Sequence, residues 1–267
     1  MKSTITVIKE QINSFYLILR LSMYEMRSQN KNNYLGILWE IINPMIQIAI
    51  YWFAFGFGIR GGHPHPGYVP WLLAGISIWF FVSPAVIQGS KSIYSRIRMV
   101  AKMNFPLSAI PSYVIMSKFY QHLMLLAIVM IILQFQGYTI SIYYIELPYY
   151  MFSVLVFTLS LSLITSTLST IVRDVQNIVQ AVMRMMIFMT PVLWDPSRLN
   201  PTIQMILKSN PYYYIIEGYR SSLLGNTGWY FINHWHYTLY FWGLTLICLI
   251  IGSALHVKFR NRFVDFL

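Results

Sequence analysis

The sequence predicts an all-α membrane protein with six transmembrane helices, and three observations lead there. Apolar residues make up 57% of the 267 residues and charged residues only 10%. A soluble surface needs about 25% charged residues, so most of this surface meets lipid. The charge-free stretches are also long, and about 20 apolar residues in a helix cross the hydrocarbon core. Finally, backbone groups in lipid must pair internally, and the apolar runs are too long and too continuous for the alternating strands of a barrel.

Residues 1–36 come first and are mixed in polarity. Ile5, Ile8, Ile12, Phe15, Leu19, Met23 and Met26 recur at helical spacing, with Lys9, Asn13, Tyr16, Arg20 and Arg27 largely on the other face. This pattern predicts an amphipathic helix over 5–26. It suits either the inner membrane interface or packing on a cytoplasmic partner. The first long apolar run begins only after this region, so it reads as a span and not as a cleaved signal segment.

Spans are expected at about 38–59, 69–90, 112–135, 147–172, 176–194 and 236–257, in one domain covering 1–267. Pro44, Pro84 and Pro191 lie in or beside them and should kink them. Between the second and third spans, the run from Lys91 to Pro106 is basic, helical in pattern and stopped by proline. It reads as a short helix that takes force from a soluble partner, or as a solvated positive loop. The stretch from Asp195 to Trp235 is too long for a turn and too apolar for a solvated loop. Pro211 to Leu224 has helical spacing, with Glu217 and Arg220 placed to pair at i and i+3. Helices that dip into the outer leaflet without crossing it fit this stretch.

Six spans put both termini on one side, and basic residues decide which. Lys2, Lys9, Arg20, Arg27, Lys31, Lys91, Arg96, Arg98, Lys102, Arg173, Arg184, Lys258, Arg260 and Arg262 fall on that side. Arg60, Arg198, Lys208 and Arg220 fall on the other, and Lys118, at the start of the third span, is counted with neither. Both ends are therefore expected in the cytoplasm. The net charge of +11 belongs to this asymmetry and to anionic lipid, not to nucleic acid.

Several chemistries find no support in the sequence. No glycine precedes a lysine, so the phosphate-binding loop of ATP-driven motors is missing. The eight acidic residues avoid the middle of every span, which argues against an ion pathway built on buried carboxylates. The pairs His63/His65 and His234/His236 have no acidic or cysteine partner nearby and read as connector or interfacial histidines. No metal site and no catalytic residue are expected. Cys248 is the single cysteine, so no internal disulfide forms. Ser160, Ser162, Thr165, Ser166 and Thr167 of the fourth span read as helix-packing hydroxyls.

Arg184 lies about 15 Å into a helix that begins near Asp174. A charge at that depth costs about 2.5–3.5 kcal/mol on insertion scales, so it should face a partner or a wet cavity, or snorkel to the interface. Aromatic residues form 17% of the chain. Trp71, Trp79, Tyr143, Tyr144, Tyr149, Tyr150, Trp194, Tyr212 to Tyr214, Trp229 and Trp235 read as interfacial belts, although aromatic faces also bind sugars.

The run from Asn33 to Pro44 leading into Tyr51 to Gly56, with Asn104-Phe105-Pro106, Arg173-Asp174, Pro191, Asn210-Pro211 and Glu217 to Arg220 in that order, resembles the ABC-2 type permeases that export polysaccharides and polyol phosphates. The Asn-Tyr-Leu-Gly start, the Lys-Met-Asn-Phe-Pro-Leu-Ser stretch and the C-terminal Phe-Val-Asp-Phe-Leu are most similar to the wall teichoic acid exporters of Gram-positive bacteria. The resemblance implies a permease in the plasma membrane that forms a homodimer and joins two copies of a separate ATPase. ATP and Mg would be bound by that partner, and no cofactor by this chain. Residues 5–26 would be the interface helix, and Lys91, Tyr94, Arg96, Arg98, Lys102, Asn104, Phe105 and Pro106 would couple to the ATPase.

The cargo implied is a glycopolymer on a polyprenyl diphosphate carrier, moved from the inner to the outer leaflet. Arg20, Arg27, Lys31, Trp39, Tyr51 and Arg184 are candidates for its path, and Tyr213, Glu217 and Arg220 for an outer gate. Another lipid-linked polysaccharide, of the O-antigen or capsule type, is the alternative cargo. A membrane transferase acting on lipid-linked sugars is a further alternative, weakened because Glu25, Glu40, Asp174 and Asp195 do not cluster to hold a metal.

Overall fold

A computed structural model describes residues 2–29, 31, 33–58, 67–100, 106–196, 199–225, 228–261 and 263, and these residues contain helices and no strand. The N-terminal segment forms α1 (Lys2–Asn13) and α2 (Phe15–Gln29). They are nearly one rod, because the Ser14 amide donates to the Glu10 carbonyl at 3.0 Å and the Ile18 amide donates to that of Ser14 at 2.8 Å. A 3-10 turn at Gly36–Leu38 leads into α3 (Trp39–Tyr51), and a π-helical stretch, Trp52–Gly58, extends it.

Helix α4 (Tyr68–Ser90) is followed directly by the short α5 (Ser92–Val100). Helix α6 spans Ala109–Phe135, and α7 spans Glu146–Ile171 after a 3-10 turn at Ile142–Ile145. Helices α8 (Asp174–Met189), α9 (Pro201–Lys208), α10 (Pro211–Leu224), α11 (Tyr230–Asn233) and α12 (Trp235–Phe259) complete the order.

Among the described residues, five helical stretches are long and apolar enough to cross a bilayer: Gly36–Phe55, Tyr68–Ser90, Ala109–Phe135, Ile142–Ile171 and Trp235–Phe259. The helix expected over 176–194 ends at Met189, because Pro191 cannot donate into a further helical turn. At 16 residues it covers about 24 Å. Even so, α8 runs between the same two ends of the bundle as its neighbours. Gln176 near its start meets Tyr94 of α5, and Val192 just past its end meets Arg220 of α10.

Helix α4 lies at the centre, packed by α3, α6, α7, α8 and α10. Leu72, Ile76, Ile78, Phe81, Ala85 and Val86 are all buried. Helix α12 pairs mainly with α7. Gly252 permits this approach, since a Cβ there would stand 3.0 Å from the Ser160 carbonyl oxygen and from the Leu163 Cβ. Ser160, Thr165 and Thr170 donate to carbonyls one turn back in α7. Such bonds let hydroxyls sit in an apolar interface without an orphaned donor.

Helix α1 docks through polar contacts, while Ile18 of α2 joins an apolar cluster with Ile110, Tyr113 and Val114 of α6. Gln11 Nε2 donates to the Ser108 carbonyl at 2.8 Å, Ser112 Oγ donates to Gln11 Oε1 at 2.7 Å, and Glu10 meets Arg260 at 2.8 Å. Val7, Ile18 and Ser22 are buried beside them. The stripe of Ile5, Ile8, Ile12, Phe15 and Met23 stays exposed. A soluble protein would turn that stripe inward; here it faces the direction that lipid or a partner would occupy.

Candidate functional site

Three polar assemblies stand out along the bundle, one at the α5 end, one in the middle and one at the α10 end.

At the first, α5 is held by side chains from three other elements. Arg96 pairs with Glu25 of α2, and its guanidinium carbon lies 5.7 Å from the ring centre of Tyr113 on α6. Tyr94 donates its hydroxyl to Gln176 of α8. Burial raises the Tyr94 pKa, outweighing the lowering effect of Arg173. Lys91 and Pro106 flank the helix, half-buried. Arg98 lies within α5, and its side chain is outside the described set, as are Lys102, Asn104 and Phe105 entirely. Arg96 is therefore an internal anchor of the expected coupling segment.

In the middle, α3, α4, α6 and α8 enclose a cavity of about 560 Å³. Its polar lining comprises Glu40, Asn43, Gln47, Ser83, Lys118, Gln121, His122 and Arg184, and its apolar lining includes Tyr51, Trp79, Phe80, Leu125, Met183 and Phe188. Pro44 and Pro84 also face it. Lys118 Nζ donates to Gln29 Oε1 at 2.8 Å, and Gln29 Nε2 donates to Glu25 at 3.2 Å. A polar chain thus joins the cavity to Arg96 on α5. Arg184, on the cavity rim, reaches Gln180 one turn back at 3.5 Å.

One turn beyond Lys118, His122 Nε2 shares a 3.0 Å hydrogen bond with the Tyr219 hydroxyl of α10. Tyr219 neighbours the third assembly. Arg220 is 3% exposed; its Nη1 meets Glu217 at 2.5 Å, and Nη2 and Nε donate to the carbonyls of Val192 and Trp71 at 3.0 and 3.3 Å. Its guanidinium carbon stands 3.5 Å from the Trp71 ring centre. Burial lowers the Arg220 pKa, opposed chiefly by Glu217. Gly75 on α4 makes the room, since a Cβ there would lie 2.5 Å from Nη2. Tyr213 sits alongside, its hydroxyl pushed up to about 12 by burial first and by the Glu217 charge second.

The start of α10 has a local cause. Asn210 accepts from the Tyr212 amide at 3.0 Å with Pro211 at the first helical position, and Asn200-Pro201 starts α9 in the same way. That cause does not reveal how deep α10 lies. Tyr212, Tyr214, Ile215, Tyr219 and Leu223 are buried against α4 and α7. Gly218 lets α10 approach, because a Cβ there would meet the Tyr150 ring at 2.2 Å.

Of the expected path residues, Tyr51 and Arg184 line the cavity. Arg20, Arg27 and Lys31 are exposed and Trp39 half-buried, and none of the four is on its lining. Several aromatics expected in interfacial belts are core residues, with Trp79, Tyr150, Tyr212 and Tyr214 buried and Trp71 beneath the Arg220 guanidinium. Trp235 remains exposed. Lys118, Gln121 and Glu25 carry no separate sequence signal. Each becomes informative only when α2, α3, α6 and α8 converge. Among the described residues, no three His, Cys, Asp or Glu side chains gather as metal ligands would.

A family model described as ABC-2 type transporter matches residues 16–224, most of the chain. An O-antigen export system permease protein of Klebsiella pneumoniae is 25% identical over 95% of both chains. A second one from that species is 24% identical over 95% of both. An O-antigen export system permease protein of Myxococcus xanthus is 23% identical over 81% of this chain and 84% of its own.

Proposed function

We propose that this chain, which belongs to the ABC-2 type transporter family, is the permease subunit of an ATP-driven exporter of a lipid-linked polysaccharide. The observation that carries this reading is the line of polar contacts from α5 through Glu25 and Gln29 to Lys118 in the cavity. A permease driven by a separate motor needs an element that receives the stroke and a connection from it to the cargo. Helix α5 has the position for the first and this line the chemistry for the second. ATP and Mg then belong to a separate ATPase, two copies of which serve a homodimer of the permease. The exposed apolar side chains of α3 and α8, among them Ile46, Ile50, Ile178 and Met185, support a second copy covering that face.

Six crossings, both ends in the cytoplasm and a plasma-membrane location complete the reading. The Glu10–Arg260 pair ties the first helix to the last at one end of the bundle, which supports an even number of crossings with α8 as the fifth of six. Arg220, clamped between α10, α4 and the segment after α8, serves as the closed latch of the outer gate.

The relatives' O-antigen export role favours a polysaccharide of that kind as cargo. The resemblance of the N-terminal and C-terminal motifs to the wall teichoic acid exporters favours a polyol phosphate polymer. The test is reconstitution with the ATPase subunit that co-purifies with this permease, measuring ATP turnover and polymer translocation with each diphosphate-linked cargo. The cargo that stimulates turnover and crosses the membrane identifies the polymer. Turnover indifferent to both, with neither transported, overturns the export reading.

A further inference from the structure

We propose that the cavity between α3, α4, α6 and α8 receives the phosphate-bearing headgroup of a membrane-anchored substrate, held by Lys118 Nζ and Gln121 Nε2. The proposal rests on the export reading for the identity of the substrate, and on the geometry of this chain for the site.

Lys118 is 7% exposed. It sits about 13 Å along α6, and burying an ionisable side chain is costly unless it serves a pathway or a partner. An ammonium has three donors, and the bond to Gln29 engages one of them. Gln121 lies three residues further along the same face, 9% exposed, and its Nε2 is buried on the lining without a hydrogen-bond partner. A buried amide donor left without an acceptor is costly, so the position favours an acceptor delivered from outside. A phosphate offers several acceptor oxygens and charge, and satisfies both donors together.

The rest of the lining fits the same ligand. Arg184 approaches from α8, so the cations Lys118 and Arg184 outweigh the carboxylate of Glu40. Trp79, Phe80 and Phe188 supply apolar wall, as the lipid side of a headgroup requires. The volume of about 560 Å³ falls within the 300–1,000 Å³ common for small-ligand pockets. The bond from Lys118 to Gln29 gives the site a readout, because a phosphate that draws the ammonium away releases Gln29 and, through Glu25, alters the hold on Arg96 of α5.

The shared chemistry is a lipid phosphate, and its two sources are a polyprenyl diphosphate carrier and an ordinary anionic phospholipid. The full-length chain in nanodiscs of zwitterionic lipid is titrated with undecaprenyl diphosphate, and phosphatidylglycerol and inorganic diphosphate are added as competitors. Lys118→Gln should weaken undecaprenyl diphosphate binding about ten- to a hundred-fold and Gln121→Leu about ten-fold. Lys118→Arg should stay close to the parent, and Lys9→Gln, on the exposed face of α1, should change nothing. If Lys118→Gln does not purify as folded protein, Gln121→Leu carries the same test.

Equal binding by the parent and Gln121→Leu overturns the site, as does competition by phosphatidylglycerol at matched concentration, which would make it a site for bulk lipid. No binding to the parent, alongside intact export by the reconstituted complex, overturns the site and leaves the export reading standing. Lys118-dependent binding without any export overturns that reading and leaves the site standing.

Discussion

Arg220→Ala tests whether the buried guanidinium holds the α10 end together. The side chain is 3% exposed, so solvent screens it little, and its partner Glu217 is 25% exposed. Truncation strands that carboxylate and removes donors from the carbonyls of Trp71 and Val192. Breaking a buried ion pair costs about 3–5 kcal/mol. The contact over the Trp71 ring at 3.5 Å adds about 2 kcal/mol where desolvated. These contributions share one side chain and overlap, so the expected loss is about 3–5 kcal/mol in total.

For a chain of this size that lowers the thermal midpoint by roughly 10 °C. Thermal unfolding of the purified protein in detergent, followed by tryptophan fluorescence, measures it. Arg220→Lys keeps the charge without the planar fork and should fall between parent and alanine variant. A loss below about 1 kcal/mol for Arg220→Ala would refute the clamp, since buried pairs broken on one side do not go unnoticed.

Exchanging the charges of Glu25 and Arg96 tests the anchor of α5. Each reversal alone should reduce substrate-stimulated ATP turnover in the reconstituted complex, and the double exchange should restore it in part, with a stability coupling of about 0.5–1 kcal/mol in a double-mutant cycle. Gly218→Ala places a Cβ 2.2 Å from the Tyr150 ring and should destabilise by about 1–3 kcal/mol, read as a lower unfolding midpoint. Tyr94→Phe removes the bond to Gln176, and coupling should weaken with little change in that midpoint, about 1 kcal/mol at most.

What the sequence makes legible follows from lipid as solvent. Charge-free runs bounded by Glu40, Lys91, Lys118 and Arg173 mark helices, because interruptions in such runs are costly. Asn-Pro pairs mark helix starts by a local hydrogen bond that needs no tertiary context. Length is less legible where one residue decides it, and Pro191 ends α8 well before its apolar run stops. Depth is illegible for α10, since its tyrosines suit a wet interface and a packed interior equally in composition. The cavity is illegible for a different reason. Lys118 looks like the boundary charge of a span until Gln29 from one helix and the Gln121 face of another close around it. The placing of the Arg220 guanidinium over Trp71 likewise depends on Gly75, whose missing side chain says nothing until the guanidinium fills the space.

The burial of α4 on nearly every side has a mechanical consequence. A helix whose neighbours are all in contact with it cannot swing without remaking most of the core at once, and close-packed interiors resist that. Helix α3 is in the opposite condition, since Ile48 is its one buried residue among those described. The first behaves as a post and the second as a leaf hung beside it, with Pro44 and the π-helical stretch Trp52–Gly58 as the places where the leaf bends. Cysteine pairs that pin α4 to α6 should leave transport running, whereas a cross-link pinning α3 to α4 should stop it.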